Sequence, residues 1–401
     1  MIPAVMPTYA RADIAFARGE GAYLFTADGR RYLDFAAGVA VNSLGHAHPH
    51  LVDALTTQAA KLWHVSNLYR IPDQERLAQR LVAASFADTV FFCNSGVEAW
   101  EGGVKLIRKY HSARGNPGRW RVITVTGSFH GRTLAAIAAA KNPKLVDGFG
   151  PMVDGFDQVA FGNLNELRAA ITDETAAIHV EPIQGEGGIR PHELGYLSAL
   201  RTICDEFGLL LYFDEVQSGF GRSGRMFAYE WTDITPDVMC TAKGIGSGFP
   251  FGALLATEAA AQGMTPGTHA TTYGGNPLAM AVGNAVLDVM LEPGFLDRVH
   301  HTGTVLRAAL EAIVSRYPSL YEQVRGLGLM QGLKCVVPAG DVISALRAAG
   351  LLTVPAGDNV IRILPPLIIG QAEVDEAITI IDRVSAVMVM DAASTTEVAH
   401  A

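Results

Sequence analysis

Lys243 has the chemical context of a reactive amine. It is one of seven lysines and the sole charged residue between Asp237 and Glu258, within VMCTAKGIGSGFPFGALLA. An apolar, glycine-rich setting disfavours the ammonium form, lowers the pKa and leaves an amine able to act as a nucleophile. The alternative is a lysine that snorkels from a strand end to water. Asp214 and Glu215 close the apolar run LLLYF. Carboxylates at the carboxyl end of a buried strand stand where open α/β sheets bind ligands; a helix cap or a surface pair accounts for them equally. Lys243 follows Asp214 by roughly 30 residues, the length of one βαβ unit, so both can reach one crevice. At Asn94-Ser95-Gly96-Val97-Glu98 a strand passes into a helix. Ser95 and the N–H groups after it can hold a phosphate at the positive end of that helix. The same spacing is a capping box between Ser95 and Glu98, and local pattern does not separate the two.

Other motif matches fail. Gly219 to Gly224 satisfies GxGxxG, but it follows DEVQS instead of leaving a strand and opens no helix, as a dinucleotide fingerprint requires. His192-Glu193 begins an HExxH, yet Tyr196 stands in the second histidine's place. There is no GK[ST] loop and no serine flanked by glycines at −2 and +2. His46, His48 and His50 alternate in GHAHPH without a nearby Cys or carboxylate cluster. A loop and helix-start role is therefore expected of them, and no metal site.

The elements that must position these residues read as an α/β sheet. TVFFC (89–93), RVITVT (121–126), AAIHVEP (176–182) and LLLYFDE (209–215) alternate with helical stretches starting near 97, 132 and 195. Short, fully apolar strands between helices are the mark of a buried, parallel sheet. Before them come a hairpin over 22–35 around Asp28-Gly29 and helices over 49–62 and 72–84. A long helix over 276–291 is followed by helices near 296–316, 339–349 and 371–388, with strands near 324–336 and 360–364. That last block reads as a smaller α+β domain, and DAASTTEVAHA as a frayed tail. The expected division is an N-terminal segment 1–45 joining the small domain, a large α/β domain 46–292 and the small domain 293–401.

Composition bounds the function. The 401 residues are 49% hydrophobic and only 18% charged, with 42 glycines. Such a chain is neither disordered nor a coiled coil, and its glycines imply loops whose backbone approaches something closely. A net charge of −9 with no basic patch argues against nucleic acid. Four scattered cysteines form no CxxC pair, the N-terminus lacks a signal-peptide pattern, and no apolar run is long enough to span a bilayer. A cytoplasmic, soluble protein without a membrane or nucleic-acid partner is expected.

In order and spacing, AVNSLGHAHP, NSGVEAWE, FHGRT, EPIQGEGG, FDEVQSGFGRSG, AKGIG and TYGGNP resemble the fold-type I, class III aminotransferases that depend on pyridoxal 5'-phosphate. The resemblance covers essentially the whole chain. Within the class, VNSLGHAHP, LWHVSNLY, GRSGRMFAYE and IRILPPL are most similar to acetylornithine aminotransferases. This implies a large, mostly parallel α/β domain with a smaller α+β domain. It also implies ping-pong transfer of the δ-amino group of N2-acetylornithine to 2-oxoglutarate, giving N-acetylglutamate 5-semialdehyde and glutamate in arginine biosynthesis. By the same resemblance Lys243 joins the cofactor covalently and shuttles a proton. Asp214 pairs with the ring nitrogen and Gln217 with the 3′ oxygen. Phe129 and Val216 sandwich the ring, and Ser95, Gly96 and Val97 hold the phosphate. Thr272 reaches that phosphate from the other subunit of a homodimer. Arg132 takes the α-carboxylate of acetylornithine; Arg362 clamps that of 2-oxoglutarate or glutamate, with Glu186 as its alternating partner. Guanidinium forks suit carboxylate planes; the alternative for both arginines is surface ion pairing.

Other readings stand beside this one: the same chemistry on succinyldiaminopimelate, succinylornithine, ornithine or 4-aminobutyrate, a nicotinamide enzyme, or a non-catalytic binding protein. The chain also departs from its relatives. Trp100 with Gly102-Gly103 stands where smaller or polar residues and helix formers are usual, Val97 replaces a common threonine or alanine, and Thr271 replaces a frequent serine.

Overall fold

The computed structural model describes residues 2–399. The apolar runs assemble into a seven-stranded sheet ordered Thr89–Cys93, Gly252–Ala256, Val238–Thr241, Leu210–Asp214, Thr175–Val180, Arg121–Val125, Phe156–Val159. The last five are mutually parallel, and Gly252–Ala256 runs antiparallel to both its neighbours. Both faces are covered, which is why the strands read as unbroken apolar runs. Leu211 and Phe213 pack with Leu197, Leu200 and Ile203 of the Leu194–Phe207 helix on one face. Leu210 and Tyr212 pack with Ala99, Trp100, Val104 and Ile107 of the Gly96–Ala113 helix on the other. The strand period of two sorts one sequence run into two cores.

The βαβ spacing between Asp214 and Lys243 is met without an α-helix. Residues 215–237 carry only the one-turn 3-10 segment Ala228–Trp231. The strand Val238–Thr241 nevertheless pairs parallel with Leu210–Asp214, Asp214 lying opposite Cys240. Lys243 therefore emerges beside Asp214 at the carboxyl ends of adjacent strands. The strand Gly252–Ala256, which glycine and proline around it obscured in the sequence, closes this edge against Thr89–Cys93.

The expected hairpin is present as Tyr23–Thr26 and Arg31–Asp34, and Arg31–Asp34 pairs parallel with Leu351–Leu352 far along the chain. The C-terminal region packs Phe295–Arg316, Ala339–Ala348 and Gln371–Ala399 on a four-stranded antiparallel sheet. Within it, 324–336 is a hairpin of Tyr321–Leu327 and Met330–Cys335, turned at Gly328 with φ +58. The frayed tail is a correction: the final helix continues to Ala399. With alanine at 392, 393 and 399 and no Gly or Pro, nothing in that segment stops a helix.

The two early glycines of the Gly96–Ala113 helix also find a reason. A Cβ on Gly103 would lie 2.4 Å from Cζ of Tyr212, so glycine lets the helix settle on the sheet at that point. The Tyr212 hydroxyl then donates to the Trp100 carbonyl at 3.1 Å. At Gly102 a Cβ would sit 3.3 Å from Leu254, a milder constraint.

Candidate active site

At the carboxyl ends of the central strands lies a cavity of about 440 Å³. Ten of the twelve expected residues line it: Ser95, Gly96, Val97, Phe129, Arg132, Glu186, Asp214, Val216, Gln217 and Lys243. Arg362 joins them from the strand Val360–Ile363. Its Nη1 donates to Glu186 Oε1 at 2.5 Å and to Gln217 Oε1 at 3.4 Å, while Nε and Nη2 reach the Pro355 carbonyl. Thr272 is the exception. It faces a neighbouring cavity of about 570 Å³ with Asn94, Glu98, Thr271 and Tyr273.

Lys243 opens a 3-10 turn directly after its strand with φ +48, a left-handed conformation that a side chain rarely adopts. Burial pushes its ammonium down to about 8, with Glu186 pulling the other way. Its side chain lines the cavity, unlike a lysine that snorkels from a strand end to the outer surface. The strand end separates the two adjacent carboxylates. Asp214 turns to the cavity, accepting the Val216 N–H on Oδ1 at 3.0 Å and facing His130 Nδ1 with Oδ2 at 2.8 Å. Glu215 turns away, accepting the Ser218 hydroxyl and the N–H groups of Ala228 and Tyr229. Burial raises its carboxyl to about 7. It therefore orders the loop between strands and takes no part in the cavity.

Ser95 is the N-cap of its helix. Its Oγ accepts the Glu98 N–H at 3.3 Å, and Glu98 reaches back to the Asn94 N–H at 2.6 Å. This cap holds the first turn of the helix at the cavity wall, where Gly96 is needed because a Cβ would lie 2.9 Å from Val216 Cγ1. Phe129 and Val216 both line the cavity, and the Arg132 guanidinium sits 5.4 Å from the Phe129 ring centre. Arg132 is exposed. Arg362, only 4% exposed, is no surface ion pair.

Several residues of the site carried no role in the sequence. Glu181 lines the cavity and accepts the N–H groups of Phe129 and Gly185 at 2.9 and 3.1 Å, which fixes the Phe129 backbone. Its carboxyl is raised by burial. Val41 follows four residues, Ala37 to Ala40, with positive φ. Phe249, Pro250 and Phe251 form the opposite wall. His130 and His179 sit behind Asp214, the three offering ligand atoms within 4.8 Å of one another. A metal is excluded there by occupancy of His179. Its Nε2 accepts from the Trp100 indole at 2.8 Å and its Nδ1 meets the Tyr212 carbonyl at 3.0 Å. A lone histidine inside the apolar run AAIHV was the available signal, since a buried imidazole must find partners.

The rejected motifs stay rejected. Gly219 to Gly224 lies in turns and bends without a helix. His46 pairs with Asp34, His48 precedes the helix at Pro49 and His50 pairs with Asp288, so the three diverge.

With this geometry in place, comparison with known proteins is informative. The aminotransferase class-III family matches residues 5–385. The chain is similar to the acetylornithine aminotransferase of Agrobacterium fabrum, 60% identical over 94% of this chain and 95% of that one. Among solved structures it is similar to N-acetylornithine aminotransferase from Stenotrophomonas maltophilia, with a TM-score of 0.83 and 36% identity over 96% and 98% of the two chains. It is also similar to ornithine aminotransferase from Toxoplasma gondii, whose active site holds PLP at partial occupancy, with a TM-score of 0.91 and 30% identity over 95% and 92%. A buried lysine beside an aspartate at parallel strand ends, a capped helix start and a match along nearly the whole length lead to one conclusion: this chain belongs to the class-III aminotransferases.

Proposed function

We propose that this aminotransferase moves the δ-amino group of N2-acetylornithine to 2-oxoglutarate by a ping-pong route, yielding N-acetylglutamate 5-semialdehyde and glutamate. The observation that carries the reading is the convergence of Lys243, Asp214, Arg132 and the Arg362–Glu186 pair on one cavity. The cavity's donor set suits pyridoxal phosphate: a helix start for a dianion, a carboxylate for a ring nitrogen, an aromatic face and a buried amine. When bound, that cofactor supplies an electron sink for the carbon that loses a proton. Ser95 and the N–H groups of Gly96 and Val97 would hold the phosphate. Asp214 would keep the ring nitrogen protonated, Gln217 would meet the 3′ oxygen, and Phe129 and Val216 would cover the two faces. Lys243, lowered to about 8, would be roughly one tenth neutral amine at pH 7, far more than an ordinary lysine, both to join the cofactor and to carry a proton to and from the substrate carbon.

Arg132 at the rim would take the acetylornithine α-carboxylate. Arg362 would take the second carboxylate of 2-oxoglutarate. Glu186 masks that charge when the amino donor is present and releases it for the keto acid; its side chain is 35% exposed. One site thus serves two differently charged substrates.

The functional unit in this reading is a homodimer in which Thr272 of a second copy reaches the phosphate. Exposed Trp63, Leu68, Tyr69 and Tyr273 support it, with His64 packed against Tyr273 in the same region. The division into 1–45, 46–292 and 293–401 is part of the same proposal, supported by the pairing of Arg31–Asp34 with Leu351–Leu352. So is a cytoplasmic location: the four cysteines are free, buried thiols, which a reducing compartment preserves. Among the described residues no single helix is long and apolar enough to cross a membrane.

The test is a half-reaction panel. The purified protein is mixed with acetylornithine, succinylornithine, succinyldiaminopimelate, ornithine and 4-aminobutyrate while the visible absorbance of the cofactor is followed. Fastest loss of that absorbance with acetylornithine is expected, and faster conversion by another amine would reassign the substrate. Arg132→Ala should slow acetylornithine at least about tenfold more than a simple monoamine, as loss of a charge-assisted contact implies; equal losses would remove its role.

A further inference from the structure

From His130, which lines the cavity beside Asp214, a buried chain of donors and acceptors runs into the interior. The Trp100 indole N–H donates to His179 Nε2 at 2.8 Å. His179 Nδ1 lies 3.0 Å from the Tyr212 carbonyl, which can only accept. His179 is therefore the Nδ1–H form, with its Nε2 lone pair facing Trp100. His130 Nδ1 lies between two acceptors, 2.8 Å from Asp214 Oδ2 and 3.2 Å from that same His179 Nε2. The single His130 Nδ1 proton is thus contested.

We propose that Trp100 is a positioning residue for Asp214: by giving His179 a donor of its own, it leaves the His130 Nδ1 proton on the aspartate. The inference rests on the cofactor reading above. Trp100 is fully buried, and its ring lies within 7° of parallel to His130 at 5.5 Å, so it sets the plane of the imidazole as well as the polarity of its neighbour. Without the indole N–H, His179 Nε2 becomes a buried acceptor lacking a partner, which is costly. The nearest proton able to satisfy it is that of His130. Asp214 then loses the donor that orients its carboxylate, and its hold on the N–H of a ring nitrogen weakens. Gly103 belongs to the same device. Its missing Cβ lets the helix press on Tyr212, whose carbonyl holds the His179 tautomer.

The conservative variant is Trp100→Phe, which keeps the stack and deletes the donor. The full-length apoprotein is titrated with pyridoxal phosphate and with its analogue bearing C–H in place of the ring nitrogen. Wild type should bind pyridoxal phosphate more tightly than the analogue. In Trp100→Phe that preference should fall about tenfold, the scale of one hydrogen bond to a charged group, while affinity for the analogue stays. Equal weakening of both ligands would mark Trp100 as merely structural and overturn the proposal, as would an unchanged preference. Wild type that binds neither ligand would instead sink the cofactor reading and this inference with it. Should Trp100→Phe fail to fold, ¹⁵N NMR of histidine-labelled wild type decides. A proton on His179 Nδ1 supports the assignment, and one on Nε2 overturns it.

Discussion

Among the described residues two arginines are almost wholly buried, and they live by different rules. Arg222 is 1% exposed and Arg362 4%. Arg222 donates through Nη1 to the carbonyls of Leu329 and Pro365, while its Nε and Nη2 have no partner; burial pushes it down to about 9. Its acceptors are backbone atoms that cannot leave. Arg362 has a carboxylate on a partly exposed side chain, the amide of Gln217 and one carbonyl. The first ties the loop after Asp214 to the C-terminal region. The second holds a charge whose partner can be exchanged for a ligand. Burial alone therefore does not mark a binding arginine; an exchangeable anion beside it does.

Three substitutions press on that contrast, beginning with Lys243, whose charge Arg362 opposes. Lys243→Met should abolish turnover and the visible absorbance of bound cofactor; retained absorbance would end the assignment. In the apoprotein the same change should stabilise the fold. A lysine lowered from 10.5 to about 8 is charged in both states below pH 8, and the buried ammonium costs on the order of 3 kcal/mol there. Between pH 8 and 10.5 only the unfolded lysine binds a proton, so wild-type stability rises with pH. The advantage of Lys243→Met should be full below pH 8 and gone by about 10.5. Denaturant melts across that range give the answer, and a pH-independent difference would contradict the burial effect.

Arg362→Ala should raise KM for 2-oxoglutarate about a hundredfold, the scale of truncating one partner of a buried charge pair, with a smaller effect on acetylornithine. Comparable losses for both substrates would remove the exchange role. Arg222→Met should leave both KM values unchanged and lower stability by about 1–2 kcal/mol. Two carbonyls lose their donor, offset in part by relief of a poorly paired cation. A KM effect there would collapse the distinction between the two arginines.

Much of this was legible from the chain. The hairpin at Asp28-Gly29, the apolar strands and the helices between them fell where period and turn chemistry placed them. So did the gathering of residues at strand ends. The strand Gly252–Ala256 and the turn splitting 324–336 were hidden, because a short run of apolar residues with glycine has no period to read. Ten of the twelve site residues converge directly on the cavity and Arg362 joins through Glu186, whereas Thr272 lies apart in this single chain. Glu181, His130 and His179 went unassigned because each acts through a partner on another strand or loop.

By itself the sequence determined the alternation of strand and helix, the isolation of Lys243 from other charge and the family to which the chain belongs. The first two follow from short-range propensity, period and local composition, the third from the resemblance carried by its motifs and their order. Tertiary structure alone decided that Asp214 faces the cavity while Glu215 faces a loop. It also decided that Arg222 meets carbonyls while Arg362 meets a carboxylate, and that Trp100 and Gly103 serve one buried imidazole. Hydrogen-bond polarity in a dry interior depends on which atoms sheet register and helix packing bring within 3 Å, and no local pattern encodes that distance.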